Sequence, residues 1–211
     1  LDSNQYSPPE FAPLALPENG IQLHLKPFEV QSNFEREFFQ YSKLNIAEDV
    51  YANRIQVEMR PGSHHFIIYS FNKEIDSSNL PEFDTPRELR YVDGTLNIET
   101  LKTMQYHIFF TGTQWPRMDY SLPPGVAFKL DSQLGLDQNS HYVNRTDSTM
   151  IGEVYTNIHT VDKSQVIHEA KILNWSKQDI LLPAKKITTL NKKISSNIFD
   201  FPAFSISFLL T

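Results

Sequence analysis

Apolar and polar residues alternate with the period of a β-strand along much of the chain. IQLHLKPFEV (21–30) alternates, and so does NRIQVEMR (53–60), where Ile55, Val57 and Met59 fall on one face and Gln56, Glu58 and Arg60 on the other. HFIIYSF (65–71) is short, β-branched and aromatic, and follows a Pro61-Gly62 turn signal. Further strands are predicted at REFFQYSKL, YHIFFTG, VAFKLD, SHYVNR, GEVYTNIHTV and HEAKILNW, and again near DILLPA, KKITTL and FSISFLL. Only SSNLPEFDTPREL and LNIETLKTM hint at helical turns. Many short strands with turn signals about every ten residues predict an all-β fold, an antiparallel β-sandwich of jelly-roll-like form. Residues 1–20 are rich in proline and polar residues and read as an extended arm, which leaves 21–211 as the sandwich domain.

Composition narrows the picture. With 211 residues, 40% of them hydrophobic and 12% aromatic, the chain is long enough to bury a sizeable core. The net charge of −6 argues against nucleic acid as a partner. Residues 163–211 carry 7 basic and 3 acidic side chains, against 12 and 22 in 1–162, and the simplest reading is a solvated basic face. The absence of cysteine excludes disulfides, thiolate metal sites and cysteine nucleophiles together. No run reaches the roughly 18 apolar residues of a membrane-spanning helix, so no transmembrane segment is predicted. The first residue, Leu1, suggests a processed or trimmed chain.

Candidate chemistry lies among seven histidines. His24, His159 and His168 read as surface or hydrogen-bonded histidines. The adjacent pair in MRPGSHHFIIYSF, His64 and His65, is different, because imidazole is a ligand shared by copper, zinc and iron. Neighbours on a regular strand point to opposite faces, so gripping one ion together requires a bulge or a twisted strand entry after Pro61-Gly62-Ser63, or Nδ1 ligation by one ring and Nε2 by the other. A third ligand is offered by His141 in LDQNSHYVNRT or by His107 in QYHIFFTGTQW, whose aromatic neighbours suggest a core histidine. Spacing alone leaves both open.

Three stretches in order, MRPGSHHFIIY, TGTQWPRMDYSLPPGVAFKL and NSHYVNRT, resemble the copper type II, ascorbate-dependent monooxygenases, the family of peptidylglycine α-hydroxylating and dopamine β-monooxygenases, and most of all its bacterial members. The resemblance runs from about residue 21 to the end. It implies a copper ion held by His64, His65 and His141, with ascorbate as electron donor, and an exported, periplasmic location. In that family a second copper domain, with a His-x-His pair and a methionine, activates oxygen. This sequence contains no His-x-His and no histidine after His168. The resemblance therefore implies the electron-transfer half, with the second copper domain supplied by further residues or by a partner protein chain.

Two other readings stand beside it. One is a non-catalytic β-sandwich used for assembly or ligand binding, with the metal site lost or unused. The other is a zinc hydrolase at the same histidines, weakened because Glu58, the nearest acid, lies on the polar face of the preceding strand. The polar residues nearest the histidines in sequence, Ser63, Gln114, Tyr142 and Asn144, are the expected supports of the rings. Asn144-Arg-Thr and Asn174-Trp-Ser match the N-glycosylation pattern without an expectation of use, and Trp115 and Trp175 read as core residues.

Overall fold

The structure is a computed structural model in which residues 11–73, 75–172, 181 and 183–189 are described. The chain divides into two compact units, Leu1–Leu173 and Asn174–Thr211, and all the strands described below belong to the first. The strand predicted at FSISFLL lies outside the described residues. Residues 185–189 of KKITTL are described and form no strand.

Eleven strands are present among the described residues: β1 (Gly20–Val30), β2 (Phe34–Ser42), β3 (Val50–Met59), β4 (Ser63–Phe71), β5 (Pro86–Glu88), β6 (His107–Thr113), β7 (Arg117–Ser121), β8 (Val126–Leu130), β9 (Leu136–Asn144), β10 (Met150–Val161) and β11 (His168–Ala170). Among the described residues one two-turn helix, α1 (Ile98–Met104), carries the LNIETLKTM prediction and is capped by Asn97, whose side chain accepts from the Glu99 and Thr100 amides. SSNLPEFDTPREL is less helical than its polar pattern suggests. It holds one 3-10 turn, Ser77–Asn79, and ends in β5.

The strands form two sheets. In one the order is β1-β10-β3-β8-β11, with β7 sharing the edge of β3 beside β8; in the other it is β5-β2-β9-β4-β6. All pairings between these strands are antiparallel except β11 on β8. The predicted β-sandwich is thus found.

The core lies between the sheets and follows from the alternation. Leu23 and Leu25 of β1, Ile55, Val57 and Met59 of β3, Val154 and Ile158 of β10 meet Phe38, Phe66, Ile68 and Phe110 of the other sheet. Each such side chain contributes about 1.5–3 kcal/mol by leaving water. A β-bulge between Leu25 and Phe28, at Lys26-Pro27, breaks the register of the edge strand β1, which blunts that edge against further pairing.

The arm is fixed rather than free over residues 11–19. Gln22 Nε2 donates to Leu14 O (3.0 Å), Asn157 Nδ2 to Ala15 O (2.8 Å), and the Thr160 amide to Asn19 O (3.1 Å). Phe11 lies under the Arg60 guanidinium, 4.4 Å from ring centre to Cζ.

Candidate metal centre

The central strand of the second sheet, β9, is built against expectation from buried polar residues: Asp137, Gln138, Asn139, Ser140 and His141 are all buried. Alternation sorts them. Asp137, Asn139 and His141 share one face, while Gln138, Ser140 and Tyr142 share the other. On its own face His141 lies directly opposite Glu37 of β2 and His65 of β4. Three strands therefore bring two histidines and a carboxylate together with no contribution from loop conformation.

The second histidine of the pair reaches this face by regular pleating; the first needs a bulge. Ser63 pairs with Tyr142 and His65 with His141, so one residue, His64, is left over in β4 between two consecutive partners in β9. That is the bulge expected from the adjacent pair. Gly62 supplies the backbone for it, at a φ of 98° that only glycine adopts readily. Ser63 then pins it, its hydroxyl lying 3.1 Å from His65 O and 3.3 Å from His141 O.

The result is a convergence of nitrogens. His65 Nδ1 stands 3.2 Å from His64 Nδ1 and 3.4 Å from His141 Nδ1. The three rings are inclined to one another with centroids 4.7 to 5.4 Å apart, and one ligand nitrogen from each falls within 4.8 Å of the others. His64 is exposed, His65 half-buried and His141 buried. The prediction of mixed Nδ1 and Nε2 ligation is not needed, because the bulge turns the same atom of each ring inward.

The outward nitrogens settle the tautomers of two rings. Asn139 Nδ2 donates to Glu37 Oε1 (3.2 Å) and Phe38 O (3.4 Å), so its Oδ1 faces His65 Nε2 at 3.0 Å and must accept from it. Glu35 Oε1 lies 2.8 Å from His141 Nε2, and a carboxylate likewise only accepts. Both rings then carry the proton on Nε2 and turn a lone pair on Nδ1 towards the other. Two lone pairs at 3.4 Å repel unless a cation lies between them. Metal–nitrogen bonds of about 2.0–2.1 Å at tetrahedral to trigonal angles give nitrogen–nitrogen separations of roughly 3.3–3.6 Å; the His65–His141 separation of 3.4 Å lies in that range and the His64–His65 separation of 3.2 Å just below it.

Electrostatics act in opposite directions on His141 and Glu37. Burial lowers the tendency of His141 to take a second proton, against the opposing charge of Glu37. Burial alone would raise the Glu37 carboxyl, but the nearby His65 Nε2–H (3.6 Å), the His141 ring and the Asn139 amide bring it below the usual range.

The supports are not those nearest in sequence. Gln114 is exposed. Tyr142 is buried on the opposite face with its hydroxyl on Arg60 O at 2.9 Å. Asn144 is buried and spends Nδ2 on Val30 O, Gln31 O and Ser148 O, which leaves that nitrogen unsuited to glycosylation. Asn174 lies outside the described residues. The actual supports, Glu35, Glu37 and Asn139, come from the neighbouring strand and from two residues back on β9. An Asn-x-His spacing with a Glu-x-Glu strand beside it was the available signal, and it needed the register to be read.

The other histidines go elsewhere. His107, the competing third ligand, has a buried side chain, stacked on Tyr69 (4.5 Å between centroids) and bonded through Nε2 to Asp137 Oδ2 at 2.8 Å. Asp137 is also paired with Arg87. His24 contacts Glu153 at 3.0 Å and stacks on Tyr155; His159 contacts Gln56 at 2.7 Å; His168 is exposed on β11. Glu58, on the polar face of β3, is buried there and bidentate to Arg117 Nε at 2.8 and 2.9 Å. Trp115 is 74% exposed, not a core residue. A groove of about 1090 Å³ lies beside β5 and α1, and none of the three converging histidines lines it.

No helix among the described residues is long and apolar enough to cross a membrane. No family model matches the chain, and comparison with curated proteins and with solved structures returns no match.

Proposed function

We propose that His64, His65 and His141 hold one copper ion and that this sandwich is the electron-transfer half of an ascorbate-dependent, monooxygenase-like protein. The observation that carries the reading is the pair of facing Nδ1 atoms, 3.4 Å apart, on rings whose Nε2 protons are committed to Asn139 and Glu35. Three imidazoles without a carboxylate in the set suit copper in its lower oxidation state. Bound there, copper would supply a one-electron couple, with ascorbate as the source of the electron.

The chain's own residues provide the rest. Glu35 and Asn139 hold two rings in the ligating tautomer and orientation, and Glu37 fixes the Asn139 amide. The strand pairing of β2, β9 and β4 makes those positions rigid, so the ligand set changes little with charge on the ion. His64, on the bulge, places one edge of the site in water. The second copper domain or partner chain implied by the sequence resemblance, and an exported location, belong to the same proposal.

The test is a copper titration of the recombinant chain beside His64→Ala, His141→Ala and His107→Ala. One ion bound tightly by the parent chain and by His107→Ala, but not by the other two, is the expected result. Failure to bind, or binding indifferent to His64 and His141, overturns the reading in favour of a sandwich used for assembly or ligand binding. Preference for zinc in the same titration would favour the hydrolase reading.

A further inference from the structure

We infer that the outer face of β1 and β10 is a docking face for an extended peptide segment, and that the arm of a second copy of this chain occupies it by exchange with the chain's own residues 11–19. The inference is independent of the metal reading.

Strand alternation defines the face. Leu23 and Leu25 of β1 and Val154 and Ile158 of β10 turn into the core, so Gln22, His24, Glu153, Tyr155 and Asn157 turn outward. Register sets Gln22 opposite Asn157 and His24 opposite Tyr155. The arm crosses both pairs, and what it presents to the first is backbone. Asn157 Nδ2 donates to Ala15 O (2.8 Å) and Gln22 Nε2 to Leu14 O (3.0 Å), while Gln22 Nε2 also reaches Asn157 Oδ1 (2.9 Å) and ties the two amides together. Asn157 is 2% exposed, its oxygen serves Gln22, and Ala15 O is the acceptor of its nitrogen. A buried N–H without an acceptor is costly, so the face calls for a peptide carbonyl at that point.

An aromatic slot takes the arm's anchor. Phe11 lies under the Arg60 guanidinium (4.4 Å) and beside Tyr155 (6.1 Å between centroids), and the His24 ring stacks on Tyr155 (4.0 Å). His24 and Arg60 are both held on the Glu153 carboxylate, at 3.0 and 2.9 Å. The face thus reads one ring and then two carbonyls, three and four residues further on.

Such a ligand is detachable. Among the described residues, 11–18 form no backbone-to-backbone hydrogen bond with the sheet, and Leu16 is 77% exposed. Pro13 and Pro17 keep the segment extended without those bonds. Its reversal into β1 is tight: Gly20 has a φ of 148°, and a Cβ there would strike the Ile158 oxygen. A segment held by few contacts beyond a tight reversal exchanges at low cost, because opening the reversal relieves it while each docking contact is remade on the other copy. Two arms and two faces then satisfy each other around a twofold axis.

The test mixes two variants of the full chain. Phe11→Ala keeps the face and loses the anchor; Asn157→Ala keeps the arm and loses the carbonyl acceptor's partner, with Gln22→Ala in its place should Asn157→Ala not fold. In sedimentation the parent chain should form a dimer that grows with concentration, each variant alone should be monomeric, and the two mixed should pair one to one. In an isotope-labelled Phe11→Ala chain, a synthetic peptide of residues 11–19 should shift the Asn157 and Gln22 side-chain amide resonances, and Phe11→Ala in the peptide should abolish the shift. A parent that stays monomeric, a dimer kept by Phe11→Ala, or mixed variants that do not pair overturns the inference. Peptide shifts without any dimer overturn the second copy as occupant, in favour of an arm-like segment of another protein. All of these variants should bind copper as the parent does, so failure here is distinguishable from failure of the metal reading.

Discussion

The side-chain oxygen of Asn139 lies 3.0 Å from His65 Nε2, and its orientation is fixed by the two acceptors that its nitrogen serves, Glu37 Oε1 and Phe38 O. One buried amide thereby commits the outer nitrogen of one histidine and frees the inner nitrogen for a ligand. Glu35 does the same for His141.

These two supports should govern affinity without contributing a ligand. Asn139→Ala and Glu35→Ala each release an imidazole proton to move to Nδ1, where it blocks the metal. Copper affinity should fall roughly tenfold to a hundredfold in either variant, measured by competition with a chelator, with one ion still bound at saturation. A drop in stoichiometry would make them ligands and not supports.

His107 and Asp137 should matter to folding and not to metal. Asp137 is fully buried, ion-paired with Arg87 and hydrogen-bonded to His107, so Asp137→Ala leaves the Arg87 cation without its partner. Removing one partner of a buried pair costs about 3–5 kcal/mol. Urea midpoints should fall accordingly, while any folded Asp137→Ala protein retains the copper affinity of the parent.

The bulge depends on glycine. A Cβ at Gly62, at φ 98°, would strike the Met150 sulfur. Gly62→Ala should lower stability by about 1–3 kcal/mol and weaken copper binding in step, because His64 loses the backbone that turns it inward. Thermal melts with and without copper separate the two effects: a melt shift unaccompanied by weaker binding would show that the bulge survives without glycine.

Acid should act at Asp49. Its hydrogen bond to Lys129 (2.9 Å), and then that from the Ser132 amide (2.9 Å), hold its carboxyl down at about 2. The folded value is below the unfolded value of about 3.9, so this contribution is complete above about pH 4 and is lost as pH falls towards 2. Asp49→Asn should lack that part of the decline. Parallel urea denaturation curves of the two proteins between about pH 5 and 2 would expose the difference, and identical slopes would refute it.

The sequence by itself determined the sandwich. Alternation at Ile55, Val57 and Met59, and the β-branched run after Pro61-Gly62, leave one face apolar and permit little but a strand with that face inward. It also determined that His64 and His65 cannot face one point from a regular strand, since pleating turns neighbours to opposite faces. Tertiary structure decided the remainder, because the remainder is register. Nothing local to QYHIFF says that His107 faces Asp137, nor does NSHYVN say that His141 lies across from His65. Glu35 and Glu37 are about a hundred residues from His141 along the chain and became its neighbours only when β2 paired with β9. Trp115 misled for a related reason: residue type forecasts burial only on average, whereas a turn pinned between two sheets can hold an indole in water.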